Sequence, residues 1–294
     1  MEQELVSVII PTYNRKHTIK RSVDSVLAQT YRAFEIIIVD DCSTDGTMEY
    51  VDELYGDITD VNIIYVKNDN NIGPGASRNI GVSYANGEYI AFHDSDDEWL
   101  PHKLERQMEE IRLADERVGA VYSVCEMRRE KETITYPPTG VPYELKSGNV
   151  FPVILLNAMI PMITLFMKKS VFLEIGGFNE QLHALEDYEI SIRIAKNYEI
   201  LLVDEVLAIA YESAGSVDSR NNDKIVTQYY IMDLYKDDLK QLGIKEKKFD
   251  FVLGEAIQYG NQNFFCQAVL ELSKDEYYVR YAEEKGRMYK ILCV

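Results

Sequence analysis

The chain is short of the residues that define several common classes of protein. Its 294 residues include four scattered cysteines with no Cys-x-x-Cys pair, so we expect reduced thiols and neither a disulfide framework nor a zinc site. Lys and Arg number 31 against 49 Asp and Glu, and the net charge of −18 argues against a nucleic-acid partner, because phosphate backbones are bound through basic surfaces. A phosphate ligand held through a metal ion stays compatible with this charge. The N-terminus lacks the basic and apolar leader of a secretory signal, so we expect none.

One uncharged segment, residues 150–167, approaches the length of a membrane-spanning helix. Pro152, Asn157 and Pro161 interrupt it, and proline removes a hydrogen bond from a helix interior. We therefore predict a short helix and then a buried strand, Ile163–Met167, and no membrane span. With 46% hydrophobic and 27% charged residues, the composition is that of a soluble globular protein, either one large domain or one domain with a helical appendage.

What the sequence does contain is a regular alternation of β-branched and helical patterns. Four apolar runs are predicted to be buried strands, at Val6–Ile10, Glu35–Asp40, Val61–Val66 and Tyr89–His93, with Pro11 ending the first. Helical patterns follow the first three runs, at Thr18–Gln29, at Thr47–Tyr55 and up to Tyr84. This alternation predicts an α/β fold with a doubly wound, mostly parallel sheet and right-handed crossovers.

The later part of the chain has a less regular pattern. Its predicted elements are a helix from Pro101, a strand at Gly119–Val124, an irregular insertion at 127–149, a helix preceded by Glu186 and Asp187, and two short strands at Ile200–Val203 and Leu207–Tyr211. From Ser216 onward the pattern is mostly helical. We therefore predict an α/β domain over residues 1–215 and a helical C-terminal extension over residues 216–294.

Three carboxylates directly follow the fourth predicted strand, where Asp94, Ser95, Asp96 and Asp97 form an acidic loop. In open α/β sheets, ligands bind beyond the carboxyl ends of the strands. Carboxylate oxygens suit Mg²⁺ or Mn²⁺, and these ions in turn suit a diphosphate. A solvated turn that caps the next helix is the alternative for these residues taken alone. The first and second predicted strands also end in polar or acidic residues, and this favours a site at their common edge.

Other polar groups near these strand ends have two interpretations each. Residues 11–15 offer a flat ring, an amide and a cation that could support a nucleobase and a diphosphate, or they form an ordinary turn. Asp41 could accept a hydrogen bond from a base or a ribose, or it caps the following helix. The pair Glu186 and Asp187 could supply a general base, or it places negative charge at a helix N-terminus.

Glycines at 73–75 superficially suggest a dinucleotide-binding loop. Arg78 occupies a position where that motif needs a small residue, and no strand immediately precedes the glycines, so we reject NAD binding. Arg78 and Asn79 are instead expected to face the nucleotide.

A family resemblance follows from six motifs that occur in order. They are Val8–Arg15, Val39–Gly46, Ala76–Gly81, Phe92–Asp97, Gly176–Glu180 and Glu186–Glu189. Together they resemble family 2 glycosyltransferases of the GT-A fold, as found in bacterial surface-polysaccharide synthesis. The resemblance covers residues 5–212 and implies inverting transfer of a sugar from a nucleotide-diphospho-sugar, usually a UDP-sugar, to an acceptor hydroxyl on a saccharide, glycolipid or glycoprotein.

The resemblance also implies a role for each matching residue. The uracil and ribose would be held by Pro11, Thr12, Tyr13 and Asp41, with Arg78 nearby. The diphosphate would be bound, together with Mn²⁺ or Mg²⁺, by Asp94, Ser95 and Asp96, and Asp96 would be the principal metal ligand. Asp187 would be the catalytic base, and Glu186 would shape the acceptor side. Many relatives carry a metal-binding His after the last strand, whereas residues 211–217 of this chain contain none, so Ser213 or water would have to substitute. His93 is expected to be a core histidine and not a ligand.

Two other functions would use the same residues. A nucleotidyltransferase or phosphohydrolase could use the acidic metal loop, and a non-catalytic module could bind a sugar nucleotide. We expect a cytoplasmic protein, with peripheral association at the inner face of the membrane as a further expectation. The tyrosines of the C-terminal extension are expected to pack its helices together or to form an acceptor-binding or self-association surface, and they are Tyr229, Tyr230, Tyr235, Tyr277, Tyr278 and Tyr281.

Overall fold

A computed structural model describes residues 4–212 and 221–258 of the chain. The chain divides into two compact units, Met1–Ser216 and Val217–Val294. The described strands all belong to the first unit and form one sheet in the order β3-β2-β1-β4-β8-β6-β9-β5, with β7 beside β6. The strands are β1 Val6–Thr12, β2 Phe34–Asp40, β3 Ile63–Lys67, β4 Tyr89–Phe92, β5 Glu98–Trp99, β6 Val118–Arg128, β7 Thr133–Tyr136, β8 Phe166–Lys168 and β9 Glu199–Tyr211.

Helices connect these strands and continue into the second unit. In the first unit they are α1 Ile19–Leu27, α2 Thr47–Tyr55, α3 Pro74–Tyr84, α4 Lys103–Leu113, α5 Phe151–Leu156, α6 Lys169–Glu174 and α7 Glu186–Asn197. Single 3-10 turns occur at Tyr143–Leu145 and Met162–Thr164. In the second unit the described helices are α8 Asn221–Leu234, α9 Lys236–Gln241 and α10 Lys245–Gln258.

The first half of the sheet is parallel, as its sequence pattern predicts. Strand β1 pairs in parallel with both β2 and β4, and β2 pairs in parallel with β3. Val8 and Ile10 belong to the same buried cluster as Val23 of α1. Ile9 points to the other face, where a Cβ added to Gly81 of α3 would lie 2.5 Å from its Cγ2. Alternate residues of β1 therefore contact helices on opposite faces of the sheet, and Gly81 is needed for the close approach of α3.

Pro11 lies inside β1 and does not end it, contrary to the prediction. It pairs with Val39, and Thr12 pairs with Asp40. The main-chain oxygen of Ile9 accepts a hydrogen bond from His93 N at 2.9 Å, so the main-chain polar groups of Ile9 face β4. Pro11 lies two residues further along β1, so its main-chain groups face the same side. Since the pairing of β4 with β1 stops at Ile9, the missing N–H of Pro11 interrupts no ladder bond.

Three predictions for the later part of the chain are wrong in detail. The two short strands predicted after residue 199 are one strand, β9, which pairs in parallel with β6 through register shifts around Ser123 and Val124. Asp204 and Glu205, which lie between the two predicted strands, are exposed on this continuous strand. Strand β6 extends to Arg128, and the segment predicted to be an irregular insertion contains β7 and a 3-10 turn.

The boundaries of three predicted helices and strands also shift. The helix predicted from Pro101 begins at Lys103, and Glu186 and Asp187 lie in the first turn of α7, not before it. The uncharged segment forms α5, a 3-10 turn and β8, so the strand predicted at Ile163–Met167 is shorter and begins at Phe166. Over residues 4–212 and 221–258, no helix combines the length and the apolar character needed to cross a membrane.

The described helices of the second unit have a buried core. Ile231, Tyr235, Leu239 and Phe249 are at most 4% exposed, and Lys248 Nζ donates to Gln228 Oε1 at 2.6 Å. Tyr230 is 41% exposed. Tyr277, Tyr278 and Tyr281 lie outside the described residues, so the role predicted for the C-terminal tyrosines stays a prediction.

Candidate active site

The acidic loop that joins β4 to β5 is held by arginine side chains from three parts of the fold. Arg78 of α3 donates to Asp94 Oδ1 at 2.7 Å, and Arg15 Nη2 lies 3.3 Å from Asp96 Oδ2. Arg21 of α1 donates to the main-chain oxygen of Asp96. These bonds place three guanidinium groups around the loop and fix its shape. The acidic loop is therefore a built feature of the sheet edge and not a loose solvated turn.

Arg78 also joins the acidic loop to the second acidic pair. Its Nη1 donates to Glu186 Oε1 at 2.8 Å, and its side chain is 5% exposed. Burial by itself would lower the pKa of Arg78, but Asp94 and Glu186 more than offset this and raise it, so the guanidinium stays charged. The two acidic motifs, far apart in sequence, thus meet at one buried arginine.

Asp187 lies beside this pair in the first turn of α7 and is partly exposed. Burial and the neighbouring Glu186 carboxylate raise the pKa of Asp187 to about 7, although the Tyr188 N–H and Arg78 oppose the increase. Tyr188 N donates to Asp187 Oδ1 at 2.7 Å. A carboxylate with a pKa near neutrality can take and return a proton at ordinary pH.

In the structure Asp41 makes contacts that neither interpretation of the sequence predicted. It is 4% exposed, and its carboxylate accepts bonds from Asn68 Nδ2 at 3.0 Å, Ile72 N at 2.9 Å and Gly73 N at 2.8 Å. Asp45, not Asp41, accepts the N–H of Thr47 at the start of α2. Asp41 therefore fixes the loop that leads into α3, and a nucleotide would meet this carboxylate already engaged.

The end of β1 places Pro11 and Thr12 next to Asp41. Asp41 N donates to the main-chain oxygen of Thr12 at 2.8 Å. Thr12 is 2% exposed, and its Oγ1 has no hydrogen-bond partner among the residues that the structure describes. A buried hydroxyl without a partner is unfavourable by about 1–3 kcal/mol, so this atom is a candidate ligand contact. Tyr13, directly after it, is 45% exposed.

Asn79, which we expected to face the nucleotide, contacts the 176–180 motif instead. Its Oδ1 accepts Phe178 N at 2.8 Å, and its Nδ2 donates to Phe178 O at 3.0 Å and to Glu180 Oε1 at 2.9 Å. Gly177 has φ +68°, and an added Cβ would lie 2.7 Å from Asn79 Oδ1, so glycine is required there. The sequence did not predict the contact of Asn79 with the Phe178 main chain, nor that of Arg21 with the Asp96 main-chain oxygen.

His93 is a core residue, as expected. It is fully buried, its ring lies 4.5 Å from that of Trp99, and its Nε2 is 3.2 Å from Ser25 Oγ. Burial and the nearby cations Lys103 and Arg21 lower its pKa well below the usual value.

The residues predicted to bind a metal ion fit one mode of binding. Within residues 4–212 and 221–258, no group of three or more His, Cys, Asp or Glu side chains could hold an ion. Asp94 and Asp96 offer two carboxylates at one turn, and Mg²⁺-type sites often combine one or two carboxylates with substrate phosphates and water. The donor set therefore fits an ion that arrives with a diphosphate. Ser213, the predicted substitute for a histidine, lies outside the described residues.

Similar solved structures define the fold. S. aureus TarS 1–349, in complex with UDP-GlcNAc, has a TM-score of 0.67 and 22% identity, over 96% of this chain and 91% of that chain. Mannosyltransferase PcManGT from Pyrobaculum calidifontis, in complex with GDP-Man and Mn²⁺, has a TM-score of 0.59 and 18% identity, over 98% of this chain and 85% of that chain. The predicted α/β GT-A fold of nucleotide-sugar transferases is confirmed.

The family follows from sequence. The model of glycosyl transferase family 2 matches residues 7–171. An uncharacterised Haemophilus influenzae glycosyltransferase is 29% identical over 81% of this chain and 79% of its own length. An uncharacterised glycosyltransferase of Rickettsia conorii is 34% identical over 69% of this chain, and the match covers only 33% of the length of that relative. The Escherichia coli glucosyltransferase WfgD is 28% identical over 87% of this chain and its full length. The chain belongs to glycosyl transferase family 2 and is a transferase enzyme.

Proposed function

We propose that this glycosyltransferase moves a sugar from a nucleotide-diphospho-sugar, a UDP-sugar, to an acceptor hydroxyl with inversion at the anomeric carbon. The observation that carries the proposal is Arg78, which joins Asp94 of the acidic loop to Glu186 of α7. A glycosyl transfer needs a group that stabilises the leaving diphosphate and a base for the acceptor, and the two acidic motifs meet at this residue.

The donor half of the site is assigned to the edge formed by β1, β2 and β4. Pro11, Thr12, Tyr13 and Asp41 would hold the uracil and ribose. The unpartnered Thr12 Oγ1 and the exposed Tyr13 ring support this assignment, since one offers a hydrogen bond and the other a stacking surface. Arg78 would act on the donor through Asp94 rather than by touching the base.

Asp96 and Asp94 would hold Mn²⁺ or Mg²⁺, with Ser95 beside the diphosphate. When bound, the ion would act as a Lewis acid that neutralises charge on the departing diphosphate. Arg15 lies 3.3 Å from Asp96 and would add positive charge at the same place.

Asp187 would take the proton from the acceptor hydroxyl, and Glu186 would shape the acceptor side. Glu186 is fixed by Arg78, whereas the pKa of Asp187, raised to about 7 by burial and by Glu186, suits a general base at neutral pH. Displacement at the anomeric carbon from the face opposite the diphosphate gives the inverted glycoside.

The names of relatives support a bacterial surface polysaccharide or glycoconjugate as the product. WfgD is described as a UDP-Glc:α-D-GlcNAc-diphosphoundecaprenol β-1,3-glucosyltransferase, and Bacillus subtilis TuaG as a putative teichuronic acid biosynthesis glycosyltransferase. We propose a saccharide, glycolipid or glycoprotein acceptor, reached in the cytoplasm with peripheral contact at the inner face of the membrane. Residues 1–215 would carry the chemistry, and residues 216–294 would bind the acceptor or a second copy of the chain.

The test is incubation of the full chain with UDP-, GDP- and dTDP-sugars and candidate acceptors, followed by product analysis. Free UDP together with a glycoside supports the proposal. Pyrophosphate or free phosphate would identify a nucleotidyltransferase or phosphohydrolase, and binding without turnover would identify a non-catalytic module.

The metal assignment is tested by calorimetry of UDP binding in the presence of Mn²⁺. We expect Asp96→Ala to weaken this binding at least about tenfold, because a carboxylate ligand to the ion is lost. Asp60→Ala is the matched control, since Asp60 is exposed and lies 3.9 Å from its arginine partner on the surface. Unchanged binding in Asp96→Ala would show that Asp96 is not a metal ligand.

A further inference from the structure

Arg21 and Tyr211 form a contact at the acidic loop that none of the motifs assigns. The guanidinium carbon of Arg21 lies 3.8 Å from the centroid of the Tyr211 ring, within the range of a cation–π interaction. The same guanidinium donates through Nη2 to the main-chain oxygen of Asp96. Arg21 belongs to α1 and Tyr211 is the last residue of β9, so the contact joins the beginning and the end of the described α/β unit.

Tyr211 contacts the two residues that follow Asp96, which are Asp97 of the loop and Glu98 at the start of β5. Its main-chain N donates to Asp97 Oδ1 at 2.9 Å, and its hydroxyl donates to Glu98 Oε2 at 2.8 Å. Asp97 is 6% exposed, so its carboxylate is directed into the protein. Arg21 and Tyr211 together therefore bind three consecutive residues, 96 to 98.

We propose that Arg21 and Tyr211 are positioning residues that hold the Asp96 carboxylate in the orientation that binds the metal–diphosphate group of the donor. This inference rests on the proposed function of Asp96. A side chain leaves the main chain in a direction set by the local backbone, and Arg21 fixes that backbone by its bond to the Asp96 carbonyl. The planar guanidinium can lie flat on the ring while it donates in its own plane, a geometry that the compact ammonium group of lysine does not match.

The contact also accounts for how β9 reaches the loop in this chain. Residues 211–217 contain no histidine, so a metal ligand of that type is not available from this segment. Tyr211 instead donates through its main-chain N to Asp97 of the loop and through its hydroxyl to Glu98 of β5, and its ring contacts the Arg21 guanidinium. Strand β9 would thus support the donor site by fixing Arg21 and the residues next to Asp96.

The experiment measures UDP binding to the full chain by calorimetry, with Mn²⁺ and with EDTA. We expect Arg21→Met to weaken the Mn²⁺-dependent binding roughly tenfold, since a charge-assisted hydrogen bond and a cation–π contact are lost. Arg21→Lys should restore only part of that affinity. Tyr211→Leu should show a similar loss, and Tyr211→Phe a clearly smaller one, because the ring is retained. Binding in EDTA should change by less than about twofold in every variant, which an unfolded site would not allow.

Arg32→Met is the matched control, because Arg32 also stacks on an aromatic ring, with its guanidinium carbon 5.3 Å from the Phe34 ring centroid. Phe34 is the first residue of β2, at the end of that strand away from the carboxyl edge that carries the site. Equal Mn²⁺-dependent affinity in Arg21→Met and Arg32→Met, alongside a loss in Asp96→Ala, would overturn the positioning role and leave the proposed function intact. If Asp96→Ala also keeps its affinity, the proposed function fails first. A loss in EDTA as large as the loss in Mn²⁺ would show general damage to the site and would likewise overturn the inference.

Discussion

Asp94 and Asp96 of the acidic loop have different electrostatic surroundings from Asp187 of α7. Asp94 and Asp96 each have a guanidinium close to one oxygen, at 2.7 Å and 3.3 Å. In the second cluster Arg78 contacts Glu186, whereas the adjacent Asp187 has its pKa raised to about 7 by burial and by Glu186. The comparison teaches that one arginine can separate two proposed functions, because Arg78 binds Asp94 and Glu186 and leaves Asp187, with its raised pKa, for the proposed role of base.

The largest effect is expected from Asp187→Asn. The amide keeps the size of the side chain but cannot accept the acceptor proton, so turnover should fall by about 10²–10⁴-fold. UDP binding measured by calorimetry should stay nearly the same, because the donor cluster is untouched. The control is Asp60→Asn, an exposed aspartate that should retain full turnover. Transfer at the normal rate in Asp187→Asn would remove Asp187 from the role of base and erase the proposed difference between the clusters.

Arg78→Met breaks the link between the clusters and should mainly reduce stability. It leaves two carboxylates without their buried cation, and removal of one partner from a buried ion pair is unfavourable by about 3–5 kcal/mol. Arg106→Met is the matched control. Arg106 also contacts two carboxylates, Glu109 and Glu205, but it is 44% exposed, so solvent screens these contacts and Arg106→Met should change the stability little. Urea denaturation of both variants checks this, and equal losses would show that the burial of Arg78 has no energetic consequence.

The pH dependence should reflect the same asymmetry. Because the base must be deprotonated, kcat/KM should rise with pH and level off above about 7, the pKa to which burial and Glu186 raise Asp187. The folded protein also binds this proton more tightly than the unfolded chain, so the stabilising contribution is complete below the unfolded pKa and is lost as pH rises through 7.

Asp187→Asn should therefore gain stability relative to the natural chain as pH rises from 5 to 8, with the difference in Tm as the readout. The Asp60→Asn control should show no such trend. A constant difference in Tm across this range would mean that Asp187 is not the group that titrates near neutrality.

The sequence alone predicted the parallel half of the fold well, for a physical reason. Strands β1, β2 and β4 are buried on both faces and alternate with helices, so each produces a continuous apolar run between polar turns. In the later half, β9 accommodates the exposed Asp204 and Glu205 through a register shift against β6. Such a shift depends on the partner strand, and no local pattern in β9 reveals it. The start of α7 was similarly hidden, since Leu185 before it adopts φ 58°.

The acidic residues of the site were predictable, but the residues that hold them were not. Carboxylates at strand ends converge because parallel strands share one carboxyl edge, so Asp94 and Asp96 could be placed from periodicity. The bond from Arg21 to the Asp96 carbonyl depends on how α1 lies against the sheet. The acceptor is also a main-chain oxygen, which every residue has, so the residue type gives no signal of this hydrogen bond.

Asn79 gives the smallest expected effect and extends the comparison to Phe178. A Cβ added to Gly75 would lie 3.6 Å from the side chains of both Phe178 and Glu186, the residue that we propose shapes the acceptor side. It sits next to Arg78 on α3, but its amide makes a reciprocal pair of bonds with the Phe178 main chain, at 2.8 Å and 3.0 Å. Asn79→Ala removes both, and each is worth about 0.5–1.5 kcal/mol. We expect a several-fold rise in KM for the acceptor with little change in UDP affinity, since the acidic loop makes no use of Asn79.

Asn79→Asp provides the discriminating variant. It keeps an oxygen that can accept Phe178 N but loses the donor to Phe178 O and brings a carboxylate toward Glu180, now 2.9 Å from the amide nitrogen. Since like charges at this distance repel, Asn79→Asp should impair acceptor binding more than Asn79→Ala does. If UDP affinity fell in either variant while the acceptor KM stayed constant, the 176–180 motif would belong to the donor cluster. Arg78 and Asn79, adjacent on one helix, would then serve the same substrate and not opposite ones.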